Sequence, residues 1–108
     1  MLYKAIILPV AKLDIKEAAN WYNLKQQVLG KRFTLQIRQK IDFLRRNPGA
    51  SAVRYDEVKT SVLDIFPFMI HYSIDEIEKH IIIAAVLHTS RNPMIWKKSR
   101  ETPDDFEL

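Results

Sequence analysis

Eight side chains in the second half of the chain are of types that handle phosphodiesters: Arg54, Lys59, His71, His88, Arg91, Lys97, Lys98 and Arg100. Gripping or cutting such a bond takes positive charge against the phosphate and a group that moves a proton. Histidine suits the second task, because its ordinary pKa lies near neutrality. Arginine suits the first, because its planar fork holds phosphate or carboxylate through two parallel hydrogen bonds. On those grounds Arg91, His88 and His71 are the candidate catalytic residues. Arg54, Lys59, Lys97, Lys98 and Arg100 are candidates for binding nucleic acid or another acidic target. No pattern of higher specificity accompanies them. There is no phosphate-binding loop, no dinucleotide fingerprint, no paired-His metal helix and no nucleophile elbow. The chain has no Cys. That excludes a disulfide framework, a thiolate metal site and a cysteine nucleophile. No metal and no cofactor is expected.

Each candidate has a plainer reading. His71 lies in an alternating segment, opposite Phe68, Ile70, Tyr72 and Ile74. If those four face helices, His71 faces the other side of a sheet, and a half-buried histidine bonded across that sheet is the favoured alternative. His88 ends the most apolar segment, just before Thr89-Ser90-Arg91, where strand ends and loops often carry function. Both faces of that segment are apolar, so the pattern does not fix which way His88 points. Trp96 reads as a packing anchor rather than a base-stacking platform. Lys97, Lys98 and Arg100 suit a helix C-terminus by charge alone.

These residues need a scaffold, and the hydrophobic periods supply one. Residues 2–8 form an apolar strand closed by Pro9. Ala11, Ile15, Ala18, Ala19 and Tyr22 then share one helical face, with Asp14 and Glu17 placed to suit the dipole. Phe33, Ile37, Ile41 and Leu44 make the inner stripe of a second helix, near 28–46, stopped by Asn47-Pro48-Gly49. Strands follow at 53–58 and 61–66, with a turn near 57–60, then at 68–74 and 80–87. Asn92 and Pro93 open a short last helix, 93–100. The expected fold is α+β, a single domain in the order β-α-α-β-β-β-β-α. An N-terminal helical hairpin packs on an antiparallel sheet with a short C-terminal helix. Residues 1–100 make the domain, and 101–108 an acidic, frayed tail. The sheet face away from the hairpin is expected to be only partly covered, and is the place to look for function.

The 108 residues carry 17 Lys and Arg against 13 Asp and Glu, a net charge of +4. The excess is uneven. Residues 1–50 hold ten basic and three acidic side chains, and 101–108 hold four acidic and none basic. A basic excess suits an acidic partner, nucleic acid or protein, although a solvated helix face accounts for much of it. Lys31, Arg38 and Arg45, seven apart on the outer side of the second helix, read as such a face. Leu13, Trp21 and Leu24 fall off the inner stripe of the first helix and Leu35 off that of the second. Together they could line an apolar groove for a partner helix. No apolar run approaches the ~20 residues of a membrane span. The N-terminus lacks a cleavable pattern, so a cytoplasmic protein is expected.

The late segments sharpen the picture. Phe66-Pro67-Phe68-Met69-Ile70-His71-Tyr72, then Ile81–Val86, then His88-Thr89-Ser90-Arg91-Asn92-Pro93 with Trp96, resemble the RelE/ParE family of type II toxin–antitoxin toxins, the plasmid stabilisation proteins. Ala11-x-x-Asp14-Ile15, Trp21-Tyr22 and Asn47-Pro48 fit the same family, and the likeness spans about residues 2–100. It implies a toxin held inactive by a cognate antitoxin, an acidic or amphipathic segment that would use Leu13, Trp21, Leu24 and Leu35. It also implies a choice of target. RelE-like members cut messenger RNA on the ribosome, and ParE-like members inhibit DNA gyrase without nuclease residues. Arg91 matches the arginine that follows the last strand in the nuclease branch. Asp64 and Met69 depart from it at strand positions where arginine is usual, and Trp96 stands near its C-terminal tyrosine. The resemblance therefore leans to the ParE-like side. A ribosome-dependent endoribonuclease using His71, His88 and Arg91 is the alternative, and an inactive toxin-like binding module a third. A homodimer or a toxin–antitoxin heterotetramer would fit either branch.

Overall fold

Pro9 is not the stop of a strand but the first residue of a helix. Strand β1 (Lys4–Ile7) ends two residues earlier, and α1 runs from Pro9 to Lys25. Proline suits that position, since the amide it lacks would have no partner in the first turn. The early start moves Asp14 and Glu17 beyond the first turn, so they do not serve the helix dipole as expected. Helix α2 (Leu29–Arg46) follows after a short link, then a 3-10 turn at Pro48–Ala50 and strands β2 (Val53–Tyr55), β3 (Val58–Val62), β4 (Phe68–Asp75) and β5 (His80–His88). The computed structural model describes residues 2–90. The expected last helix with Trp96, its Asn92 cap, the acidic tail, and Arg91, Lys97, Lys98 and Arg100 lie outside the described residues.

The two helices touch through a glycine. A Cβ on Gly30 would lie 2.6 Å from the Ala19 carbonyl oxygen and against the side chain of Asn23. The Gly30 N–H donates to Asn23 Oδ1 at 2.9 Å. The inner stripe is as the period requires: Phe33, Ile37, Ile41 and Leu44 are buried, with Ala11, Ala18 and Tyr22 from α1. They close on Ile70, Tyr72, Ile81, Ile83 and Val86 of the sheet. An aromatic knot marks the tighter end, where Tyr22, Phe33, Phe66 and Phe68 sit with ring centroids 4.8 to 6.0 Å apart. These are edge-on or tilted contacts, the arrangement that ring quadrupoles favour.

The five strands are ordered β1-β5-β4-β3-β2. Three pairs are antiparallel, as expected, but β1 pairs with β5 in parallel, Lys4 beside His80 through Ile7 beside Ile83. Short links force β2 to β5 to alternate in direction. The route from β1 passes through both helices, so no hairpin constrains it. The first hairpin differs too. Its turn is Asp56-Glu57, both with positive φ (44° and 64°). That two-residue turn ends β2 at Tyr55 and starts β3 at Val58, earlier than the apolar pattern indicated. Residues 63–67, expected in part as strand, form the loop that sends Phe66 back to the core. Asp64 is therefore a loop residue, and pairs with Lys40 at 3.5 Å.

One irregularity decides which way the late side chains face. His71 pairs with Ala85 and Tyr72 with Ile83, so Ala84 is an extra residue in β5. Such a bulge shifts the alternation by one. Val86 and His88 thereby join the helix side, opposite Ile70 and Phe68. Ala85 and Leu87 join the second face, opposite His71 and Met69. That face is not open at its centre: Met69, His71, Ala85 and Leu87 are all buried.

Candidate functional site

His71 is 1% exposed. Its Nδ1 lies 2.9 Å from the hydroxyl of Tyr55, and the two rings meet at 60°. Register explains the pairing. Thr60 sits beside His71 and Tyr55 beside Val58, so the Tyr55 ring reaches across β3 on the second face. A buried imidazole of this kind needs its polar atoms satisfied, and a tyrosine hydroxyl does so as donor or acceptor. Tyr55 carried no signal in the sequence, since its position opposite His71 depends on the two-residue turn.

His88 stands on the other side of the sheet. It is exposed at the end of β5, its ring 5.3 Å from that of Phe68. The backbone N–H of Ser90 donates to His88 Nδ1 at 3.1 Å, and the Ser90 hydroxyl lies 2.9 Å from the same atom. The amide can only donate, so the proton of the neutral ring sits on Nε2. Beside it lies a groove of about 270 Å³ walled by Asp14 and Glu17 of α1. Asp14 is already engaged there. Its Oδ2 accepts the Val86 N–H at 3.0 Å. Val86 lies past the end of the β1 pairing, where β5 would otherwise present an unbonded amide, and the carboxylate of α1 supplies the missing acceptor. This role too was invisible in the sequence, because it rests on the bulge.

The sheet thus lies between the two histidines, and they form no acid–base pair. The basic candidates are dispersed as well. Arg54 is exposed on the edge strand β2. Lys59 donates from Nζ to the Ser51 carbonyl at 2.8 Å, tying β3 to the chain before β2. Two strands, β3 and β4, separate β2 from β5. Among the described residues no group of three His, Asp or Glu is placed to hold a metal ion. No described helix is long and apolar enough to cross a membrane.

The four apolar candidates divide into two sets rather than one groove. Leu13, Trp21 and Leu24 lie along one outer flank of α1, 53, 53 and 85% exposed. Lys25 Nζ sits 4.9 Å from the centre of the Trp21 ring. At 100° per residue this flank is turned well away from Ala19 and Asn23, which meet α2. Leu35 is on α2, in a separate groove of about 260 Å³ with Ile65 and Arg32.

The ParE toxin of type II toxin-antitoxin system (parDE) family matches residues 5–93. The fold is similar to a chain of the chromosomal ParDE TA system from P. aeruginosa, with TM-score 0.71 and 18% identity over 81% of this chain and 96% of that one. It is also similar to a chain of the toxin-antitoxin complex RelBE2 from Mycobacterium tuberculosis, with TM-score 0.58 and 14% identity over 82% and 99%. No curated protein matches the sequence.

Proposed function

Because this chain belongs to the ParE toxin family of type II toxin–antitoxin systems, we propose that it is the toxin of such a pair, held inactive in the cytoplasm by a cognate antitoxin, and that it acts on DNA gyrase rather than by cutting RNA. The observation that carries the non-nuclease side is the separation of the histidines. General acid–base cleavage needs both groups within hydrogen-bond reach of one phosphate. His71 is buried on one face and His88 exposed on the other. Asp64 adds no positive charge to the sheet, and neither does Met69. The similarity to complexes that contain antitoxins supports a protein partner, for which the Leu13, Trp21 and Leu24 flank is a suitable apolar surface.

Induced expression without the partner gene tests the class: growth arrest is expected, relieved by co-expression of the antitoxin. Plasmid supercoiling by purified gyrase and primer extension on ribosome-bound messenger RNA then separate the activities. Inhibited supercoiling with intact messages is the expected pair of results. Codon-boundary cuts with unaltered gyrase would make the chain a ribonuclease instead, one that draws on a single side of the sheet. No arrest at all would leave an inactive binding module.

A further inference from the structure

Helix α2 carries six basic side chains and one acid. Asp42 holds Arg45 and Arg46, both at 2.9 Å, and Lys40 meets Asp64 at 3.5 Å. Lys31, Arg32 and Arg38 are exposed around Leu35. Leu35 is 54% exposed and Ile65, in the β3–β4 loop, 71%. Leu35 walls two grooves. One, of about 260 Å³, holds Arg32, Ile65 and Phe66. The other, of about 320 Å³ along the α1–α2 seam, holds Lys31 and Arg38. The outer face of α2 is thus an apolar floor with a cationic rim.

The matching chemistry lies in the same chain. Residues 101–108 hold Glu101, Asp104, Asp105 and Glu107 and no basic side chain. Phe106 and Leu108 stand among them. In an extended segment alternate side chains share a side, so Phe106 and Leu108 point one way and Asp105 and Glu107 the other. Pro103 favours extended backbone at the residue before it. The chain also leaves the sheet beside the first groove. The Thr89 N–H donates to the Pro67 carbonyl at 2.9 Å, in the loop that carries Ile65 and Phe66. The link over 91–100 spans at most about 33 Å extended, and about 15 Å as a helix. A tether of that length gives an effective concentration in the millimolar range. Two apolar side chains and a few exposed ion pairs are enough at such a concentration.

We propose that the acidic segment 101–108 docks on the outer face of α2 of its own chain, with Phe106 and Leu108 against Leu35 and Ile65 and its carboxylates on Lys31, Arg32 and Arg38. The face is then occupied from within, and a protein that uses it must first displace the segment. The proposal concerns one chain alone and does not depend on the toxin assignment.

The test is cross-linking of the full wild-type chain with a carbodiimide, which joins a carboxylate directly to a lysine amine, read by peptide mass spectrometry. The Lys40–Asp64 pair is the internal control. Lys31 should join Asp104, Asp105 or Glu107 in preference to Lys12, Lys16, Lys25 and Lys79. In an equal mixture of ¹⁵N-labelled and unlabelled protein, each cross-linked pair of peptides should carry a single isotope. Added salt and Arg38→Glu should each lower the Lys31 yield about twofold to fivefold, the weight of an exposed ion pair. Leu35→Ser should lower it without any change of charge. Melting curves for both variants separate a lost contact from a lost fold. A Lys40–Asp64 product with no product at Lys31 would overturn the proposal. So would a preference for the lysines of α1, or a yield indifferent to Arg38→Glu and salt. Products confined to Lys97 and Lys98 would show the carboxylates spent locally, and mixed-isotope pairs would show a contact between copies, and either result also overturns it. Growth arrest is scored independently, so either idea can fail without the other.

Discussion

The carboxylate of Asp14 reaches from α1 to the N–H of Val86, at the point where β5 outruns its neighbour β1. Removing it strands that amide beside the helix. Asp14→Ala should cost about 1–3 kcal/mol, the range for leaving a part-buried donor unpaired. Asp14→Asn keeps an acceptor oxygen and should cost less. Urea unfolding of the two variants checks the order, and equal midpoints would remove Asp14 from the scaffold. Tyr22 yields a prediction of a different kind. Burial raises its hydroxyl pKa above 10.0. The Tyr3 hydroxyl is also raised, first by the hydrogen bond it donates to Glu76. Each group favours the folded state fully while both states are protonated, below the unfolded value near 10. That contribution is lost as pH rises through the folded value, because the unfolded chain ionises first. The unfolding midpoint should therefore hold up to about pH 10 and fall above it. Tyr22→Phe should flatten the fall, which matched alkaline titrations of the two proteins would reveal.

At the scale of elements, the helical hairpin combines a close backbone approach at Gly30 with the Tyr22–Phe33 ring contact. Gly30→Ala sets two effects against each other. Alanine gains roughly 1 kcal/mol in helix propensity. Its Cβ would meet the Ala19 carbonyl at 2.6 Å, which is backbone and cannot swing aside. Overpacking of this sort costs about 1–3 kcal/mol, so net destabilisation and a lower melting temperature are expected. The β2–β3 turn is the opposite case. Asp56 and Glu57 both hold positive φ, a conformation that costs an L-residue about 1–2 kcal/mol. Glu57→Gly makes the Asp-Gly pair such turns prefer. The relief exceeds the extra entropy of a glycine in the unfolded chain, for a gain of roughly 0.5–1 kcal/mol. A lower midpoint would mean the Glu57 side chain stabilises the turn in some other way. The β2–β3 turn is also one of the places where the sequence stopped being legible. The inner stripe Phe33, Ile37, Ile41 and Leu44, the alternation of β4 and the hairpin of helices follow from period alone. The turn at Asp56 does not, because Asp56 tolerates positive φ but Glu57, where glycine is usual, carries no signal of it. The bulge at Ala84 does not, because Ile81–Leu87 is apolar on both faces and reads the same in either register. His88 was thus legible as a strand-end residue but not as a helix-side one, and Tyr55 was not legible as the partner of His71.

For the whole molecule, the sheet acts as a partition, and that partition bears on activity. The functional candidates in the described part fall on its two sides and toward its far edge: His88 by α1, His71 beneath Tyr55, Lys59 on β3 and Arg54 on β2. A nuclease would have to draw on one side alone. If the exposed His88 served as its proton carrier, His88→Ala should lower cleavage by about 10²–10⁴, the usual worth of a general acid or base. Arrest on expression would then weaken or vanish. If the toxin acts by contact with gyrase, the same substitution touches an exposed ring whose bonds go to Ser90. Arrest should persist at wild-type strength. Stability guards the comparison, since among the described residues the exposed His88 ring meets Phe68 and Ser90, and its loss should cost about 0.5–1.5 kcal/mol. His71→Ala cannot be used in this way. It would leave a cavity and a tyrosine hydroxyl without its buried partner, and would weaken the fold whatever the activity. The informative measurement is therefore growth after induction of His88→Ala beside wild type, at matched protein level. Full arrest supports contact inhibition, and escape from arrest would return the helix side of β5 to the list of catalytic surfaces.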